Sequence, residues 1–254
     1  MSADNAAYEN ILYQIDDGIA IITLNRPDRL NAYIPAMGNE VVEAFRRARD
    51  DQEVRVILFT GAGRAFCAGV DLAVLAENAA ETTKEGESRL GEEDFIRSLP
   101  LEMRDSPKPL IAAINGPAIG VGVTMTLPCD VRVAAEDAKI GLTFSRLGIL
   151  PGLGSTHLLP HLVGMARAQE LILTGRIVLG QEACDLGLVQ YSVPRGEVMR
   201  TAMDLARQMA EADPTLLALA RKALHAGPSL SLAEAMANEQ ALSAQLRQAR
   251  SDSN

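Results

Sequence analysis

Apolar and polar positions follow different rhythms along this chain, and each rhythm predicts a different kind of element. Residues 11–15 (ILYQI) and 19–24 (IAIITL) are β-rich runs separated by Asp16-Asp17-Gly18. Asp-Gly favours the left-handed backbone of a tight turn, so the pair predicts an antiparallel hairpin. After Asn25-Arg26-Pro27 the period becomes helical, with Met37, Val41, Phe45 and Ala48 on one face and Pro35 in the first turn, where proline is tolerated. Residues 54–60 (VRVILFT) and 110–114 (LIAAI) are short apolar runs, read as buried strands, that stop at Gly61-Ala62-Gly63 and Asn115-Gly116-Pro117. The stretch between them, residues 77–94, is polar, acidic and broken by glycine. Its first half predicts a mobile loop and its second half the approach to a helix. From about Gly196 the pattern is helical throughout, with one stripe of Ala202, Leu205, Ala206 and Met209 and another of Leu232, Met236, Leu242 and Leu246. Strands alternating with helices, then helices alone, predict an α/β core over residues 1–195 and a helical region over 196–254.

Composition narrows the class of protein. The 254 residues, 48% hydrophobic and 22% charged, suffice for one large globular domain or a core with an appendage. A net charge of −9 argues against a nucleic-acid partner, whose usual mark is a basic stripe, although a few local arginines still suit an anionic ligand. No apolar run reaches the ~18 residues of a membrane span, and the opening MSADNAAYEN lacks the basic start and apolar stretch of a secretory signal. Cys67, Cys129 and Cys184 are odd in number, far apart and set among apolar residues, as reduced core thiols are. The expectation is a cytoplasmic protein with neither a membrane nor a nucleic-acid partner.

Two glycine-rich segments carry the candidate chemistry. One runs from Gly61 to Leu72 (GAGRAFCAGVDL), the other from Asn115 to Met125 (NGPAIGVGVTM). Each follows a predicted buried strand and has residues small enough for a ligand to approach the backbone. Residues 120–127 are apolar on every side and predict a buried helix, whose first N–H groups are unpaired and can hold an oxygen that gains negative charge. Taken singly, each segment is better explained as a tight turn into a packed element. Neither has the spacing of a dinucleotide site in a fitting context.

In order along the chain, Asn25-Arg26-Pro27, Leu30-Asn31-Ala32, Phe66-Cys67-Ala68-Gly69-Val70-Asp71 and Asn115-Gly116-Pro117-Ala118-Ile119-Gly120 resemble the signature stretches of the enoyl-CoA hydratase/isomerase (crotonase) family. So do Cys129-Asp130, the run from Leu147 to Gly152, and Leu173-Thr174-Gly175 followed by Ala183 and Gly187-Leu188-Val189. The resemblance implies an α/β fold, a crotonase-like spiral of ββα units with a helical C-terminal trimerisation region, assembled as a homotrimer or hexamer. It implies an acyl-CoA ligand, with no separate cofactor because CoA is part of the substrate, and no metal. It further implies an oxyanion hole from the backbone N–H groups of Ala68 and Val121. Arg29 and Ala32 would lie near the adenine and phosphates, and Ala68, Gly69, Val70, Asp71 and Leu72 along the CoA.

The chain departs from the family where acid–base chemistry resides. The positions that match the family's carboxylates hold Thr124, Phe144 and Gly152. None of the three can act as a general base, so ordinary hydration is not expected. His157 is the first candidate for a relocated base, one helical turn from the expected thioester end, although a surface histidine meeting a neighbouring subunit is the simpler reading. His157 and His161 share a helix face but have no third metal ligand beside them. Asp71, Cys67, Tyr33 and the acids Glu77, Glu81, Glu85 and Glu87 are further candidates, each with a plainer structural explanation. Three readings follow: a family enzyme with altered chemistry, a non-catalytic acyl-CoA binder, or a scaffold.

Overall fold

The computed structural model describes residues 8–80 and 90–252. The predicted hairpin is present, with β1 (Ile11–Asp16) antiparallel to β2 (Ile19–Leu24). Asp17 and Gly18 have φ of 49° and 74°, the two positive values a two-residue turn needs to match strand twist. The chain continues through α1 (Pro35–Asp50), β3 (Val56–Gly61), α2 (Leu72–Ala79), α3 (Asp94–Arg97), α4 (Leu99–Asp105), β4 (Leu110–Ile114), β5 (Ala118–Ile119) and α5 (Val121–Thr124). Next come β6 (Val131–Ala135), β7 (Lys139–Gly141), α6 (Phe144–Leu147), α7 (Ser155–Val163), α8 (Met165–Thr174), β8 (Ile177–Leu179), α9 (Gly180–Asp185) and β9 (Tyr191–Val193). Three helices close it: α10 (Val198–Ala210), α11 (Pro214–Ala226) and α12 (Leu232–Asp252).

The large sheet has the order β1-β2-β3-β4-β6-β9, and every pairing after the hairpin is parallel. A small sheet, β5-β7-β8, takes the strands that leave the large one between β4 and β9. The chain thus winds from large sheet to small sheet to helix and back, a spiral of ββα units. Both β3 and β4 are buried along their full length, which explains why their sequences are continuously apolar and not alternating. The apolar face of α1 (Met37, Val41, Phe45 and Ala48) packs across β1, β2 and β3. The face of α10 (Val198, Ala202, Met203 and Ala206) packs across β2, β3, β4 and β6.

Two sequence expectations are corrected. Residues 77–79 close α2 instead of opening a loop, while 81–89, with Glu81, Glu85 and Glu87, lie outside the described residues. The buried helix expected over 120–127 ends at Thr124 and tightens into turns (Thr126 N–H to Val123 O 2.9 Å, Cys129 N–H to Thr126 O 3.0 Å). Pro128 contributes, because it has no N–H for the Thr124 carbonyl one turn back and its ring crowds that oxygen. Arg132, fully buried, donates to carbonyls of the turns that follow, Cys129 O at 2.5 Å and Thr126 O and Leu127 O at 3.4 Å, and separately to Leu188 O at 2.8 Å.

The change of pattern near residue 196 marks a change in composition and not a break in packing. Arg221 of α11 donates to both carboxylate oxygens of Asp130 (3.0 and 2.8 Å), and Asp130 also accepts the N–H of Leu110 at 2.7 Å. Among the described residues no helix is long and apolar enough to cross a membrane.

Candidate functional site

The two glycine-rich turns lie side by side. Cys67 N–H donates to Pro117 O at 3.0 Å and Ile119 N–H to Cys67 O at 2.9 Å, a parallel bridge between Cys67 and Ala118. Glycine makes this approach possible at two points. A Cβ on Gly122 would lie 2.3 Å from the Cys67 carbonyl oxygen, and one on Gly69 (φ 104°) 3.3 Å from that of Ile119. The first distance admits no side chain, so the start of α5 rests directly on the backbone of the first turn.

The first turn is also zipped onto residues 30–33. Ala68 N–H donates to Leu30 O (3.0 Å), Tyr33 N–H to Gly69 O (2.8 Å) and Asp71 N–H to Tyr33 O (2.9 Å). This corrects the expectation for Ala68, whose N–H is committed to Leu30 and does not face a ligand. Val70 is different. It stands opposite Tyr33 in a parallel bridge whose bonds are made by the residues on either side of it, so its own N–H points away from that ladder. In the second turn Gly120, at φ 54° and ψ −114°, donates its N–H to Gly141 O (2.8 Å) and swings the chain into α5. Val121 is the first helical residue, and its N–H has no carbonyl one turn behind it. Among the described residues no acceptor lies on the N–H of Val70 or of Val121.

The 26–33 segment holds this arrangement through residues that the sequence motifs contain without revealing their use. Asn31 is fully buried with φ 55°; its amide donates to Ala62 O (2.9 Å) and Ala65 O (2.8 Å) and accepts from Arg26 N–H (2.8 Å). The Arg26 guanidinium bonds to Ala32 O and to the Asp71 carboxylate (3.1 Å). Asp71 also accepts the N–H of Ala73 at 3.1 Å at the start of α2, so both its oxygens serve the turn. Arg29 and Leu72 are exposed, and Ala32 is half-buried. The separation of Arg26 from Asp71 is 45 positions, and no local pattern reveals such a pair.

The three positions that lack acids are apolar or sealed. Thr124 is buried and its hydroxyl turns back to Val121 O at 3.4 Å. The Phe144 ring lies 3.9 Å from where a Cβ on Gly120 would be, so the wall beside Val121 is aromatic. A Cβ on Gly152 would meet Ile96 of α3 at 3.9 Å. The other candidates are accounted for in turn. Burial pushes the Cys67 thiol up to about 11, which keeps it protonated and inert near neutral pH. Tyr33 is buried, with its hydroxyl donated to Glu93 at 2.6 Å, and burial raises its pKa. Glu77 is exposed on α2.

His157 lines a different part of the surface. It lies in a cavity of about 310 Å³ with His161, His225, Cys129 and Arg132, and no residue of either glycine-rich turn lines it. The rings of His157 and His161 lie 4.4 Å apart, and His161 Nδ1 bonds to the carbonyl of His157 at 2.7 Å. Leu224 and His225 of α11 line the same cavity, a juxtaposition that sequence spacing alone does not show.

Known proteins share this architecture. Residues 14–253 match the enoyl-CoA hydratase/isomerase family. A 1,2-epoxyphenylacetyl-CoA isomerase of Escherichia coli is 36% identical over 224 residues, covering 88% of this chain and 85% of its own. A short-chain-enoyl-CoA hydratase of Clostridium acetobutylicum is 35% identical over 232 residues, covering 91% and 86%. The crystal structure of an enoyl-CoA hydratase from Bacillus anthracis superposes with a TM-score of 0.83 at 36% identity, covering 92% and 89%. The chain belongs to the enoyl-CoA hydratase/isomerase family.

The contact between the turns generates a direct test. Gly122→Ala places a methyl against a backbone oxygen, which something must move to admit; the expected loss is about 1–3 kcal/mol or more. Gly196→Ala, where a Cβ meets nothing within 4 Å, is the control, expected within about 0.5 kcal/mol of the parent. Denaturant midpoints of both variants check the difference, and equal midpoints would contradict the close approach.

Proposed function

We propose that the protein binds an acyl-CoA thioester with its carbonyl oxygen between the N–H groups of Val70 and Val121. The observation that supports this is the pair of unspent donors, one on each of two turns pressed together through glycine. Fixed donors at an oxygen that gains charge stabilise the enolate form of a thioester, and this makes the proton at Cα easier to move. Gly69, Asp71 and Leu72 form the surface along which the CoA lies, and exposed Arg29 is the cation for its phosphates. CoA is part of the ligand, so no separate cofactor enters this reading.

The chemistry differs from ordinary hydration. Adding water to an enoyl thioester requires a base for the water and an acid for Cα. Thr124 and Phe144 supply neither, and the Phe144 ring makes that side of the site apolar. The enzyme reading is therefore a family reaction with a changed acid–base set; a non-catalytic acyl-CoA binder is the second reading, favoured by the same missing carboxylates. The free, buried thiols of Cys67 and Cys129 suit a reducing, cytoplasmic setting. Apolar side chains stand exposed on the outer helices and the loop before α7, including Leu150 (89%), Leu232 (79%), Leu224 (73%) and Leu173 (72%), and a trimer or hexamer is the assembly that covers them.

Three outcomes are expected. Calorimetric titration should show a saturated acyl-CoA binding more tightly than free CoA, and equal affinities would remove the oxyanion hole. Crotonyl-CoA hydration, followed by loss of enoyl-thioester absorbance, should run some ~10²–10⁴-fold below a dedicated hydratase, the range general acid–base catalysis supplies. Rapid turnover by the natural sequence would show that a base outside these positions does the work. Light scattering at micromolar concentration should give a multiple of 27.1 kDa; the mass of a single chain would refute assembly.

A further inference from the structure

We infer that Tyr33 and Glu93 are a positioning pair that sets the Val70 donor against the acyl side of the site. The inference rests on the acyl-CoA reading above. Among the described residues Glu93 is the one buried carboxylate, 2% exposed, and nothing in the acid–base pattern of the family motifs points to it. One of its oxygens accepts the Tyr33 hydroxyl at 2.6 Å and the other the N–H of Gly91 at 2.7 Å. The Phe95 ring lies against Tyr33 with centroids 4.7 Å apart, so the pair sits in apolar surroundings.

Stability does not call for such a pair. Apolar side chains of the same volume satisfy a core at least as well as a buried carboxylate and its partner, whereas removing one member leaves the other stranded. What a fully bonded polar pair supplies is a single geometry. Here that geometry links two parts of the site. The backbone N–H and carbonyl of Tyr33 grip Gly69 and Asp71, at 2.8 and 2.9 Å, on either side of Val70. Its phenol end is tied to the residue that opens α3, and α3 carries Ile96 to the wall at Gly152. The side chain of Tyr33 therefore spans the distance from the donor turn to the acyl wall.

Two further contacts fix the ends. A Cβ on Gly38 would lie 2.5 Å from the Tyr33 hydroxyl oxygen, so α1 leaves a seat for the phenol that only glycine allows. Asp94, next to Glu93, bonds to Arg46 of α1 at 2.9 Å, which holds α3 to the same helix. With both ends fixed, the hydroxyl-to-carboxylate bond is the adjustable element, and its loss lets the 30–33 segment and Val70 shift relative to α3.

The test uses Tyr33→Phe and Glu93→Gln in the full chain, with calorimetric affinities for a saturated acyl-CoA and for free CoA. A hydrogen bond to an uncharged carbonyl is worth roughly two- to tenfold in affinity, so a displaced donor in Tyr33→Phe should reduce the preference for thioester over free CoA by about that factor. Affinity for free CoA, which does not use the donor, should stay within about twofold of the parent by the same reasoning. Glu93→Gln keeps an acceptor for the hydroxyl and should retain most of the preference. An unchanged preference in Tyr33→Phe, or equal losses for both ligands, would overturn the inference and leave the pair as packing alone. A parent protein with no preference would instead overturn the acyl-CoA reading. Amide hydrogen exchange at Gly69, Val70 and Asp71 then decides the positioning role: faster in Tyr33→Phe supports it, and unchanged rates refute it. If Tyr33→Phe does not fold, Gly38→Ala displaces the phenol from its seat and is read by the same measurements.

Discussion

The carbonyl of Cys67 lies where a side chain on Gly122 would have to be, and the rest of the site depends on that contact. Two strands, β3 and β4, deliver their C-terminal ends side by side, and the segments that follow can close on each other only if one of them lacks a Cβ. Once closed, the turns share a bridge at Cys67 and Ala118, and the first residue of α5 stands beside the first turn. Substituting any side chain there forces backbone apart from backbone, which no rotamer change relieves.

Closure alone does not make a binding site; selective exhaustion of the polar groups does. Around the first turn nearly every hydrogen-bonding group has a partner within the protein. Ala68 uses Leu30, Gly69 and Asp71 use Tyr33, and the Asp71 carboxylate uses Arg26 and the start of α2. Asn31 gathers the carbonyls of Ala62 and Ala65 from the loop beneath. Among the described residues, the N–H groups of Val70 and Val121 are left without an acceptor. Their availability reflects the direction of a parallel ladder and the start of a helix, not the identity of their valine side chains.

Much of this was legible in the sequence, and what was not follows a physical pattern. The hairpin at Asp17-Gly18, the start of α1 at Pro35 and the strand at 110–114 are encoded by neighbours, and they occur as read. The two glycine turns were also visible as the candidate site, along with the missing acids at Thr124, Phe144 and Gly152. The identity of the free donor was not. Ala68 and Val70 differ by two positions on one turn, and only the register of residues 68–71 against 30–33 decides which N–H is spent. The cavity that His157 lines was hidden for a similar reason, since Leu224 and His225 reach it from far along the chain. Arg26 with Asp71, and Tyr33 with Glu93, are pairs separated by 45 and 60 positions, so neither leaves a local pattern to read.

The grip of Arg221 on Asp130 has a consequence for how the chain is made. Strands β1, β2, β3, β4 and β6 are sheet neighbours nearly in the order in which they leave the ribosome, so each can pair soon after it emerges. Asp130, at the entrance to β6, then waits for a cation that lies 91 positions downstream. At typical elongation rates of ~5–20 residues per second, that wait is roughly 5–20 s. A nascent chain stopped short of α11 carries an assembled sheet with an unneutralised carboxylate at the base of β4 and β6. It is expected to be held by chaperones or degraded, not to persist as a stable fragment.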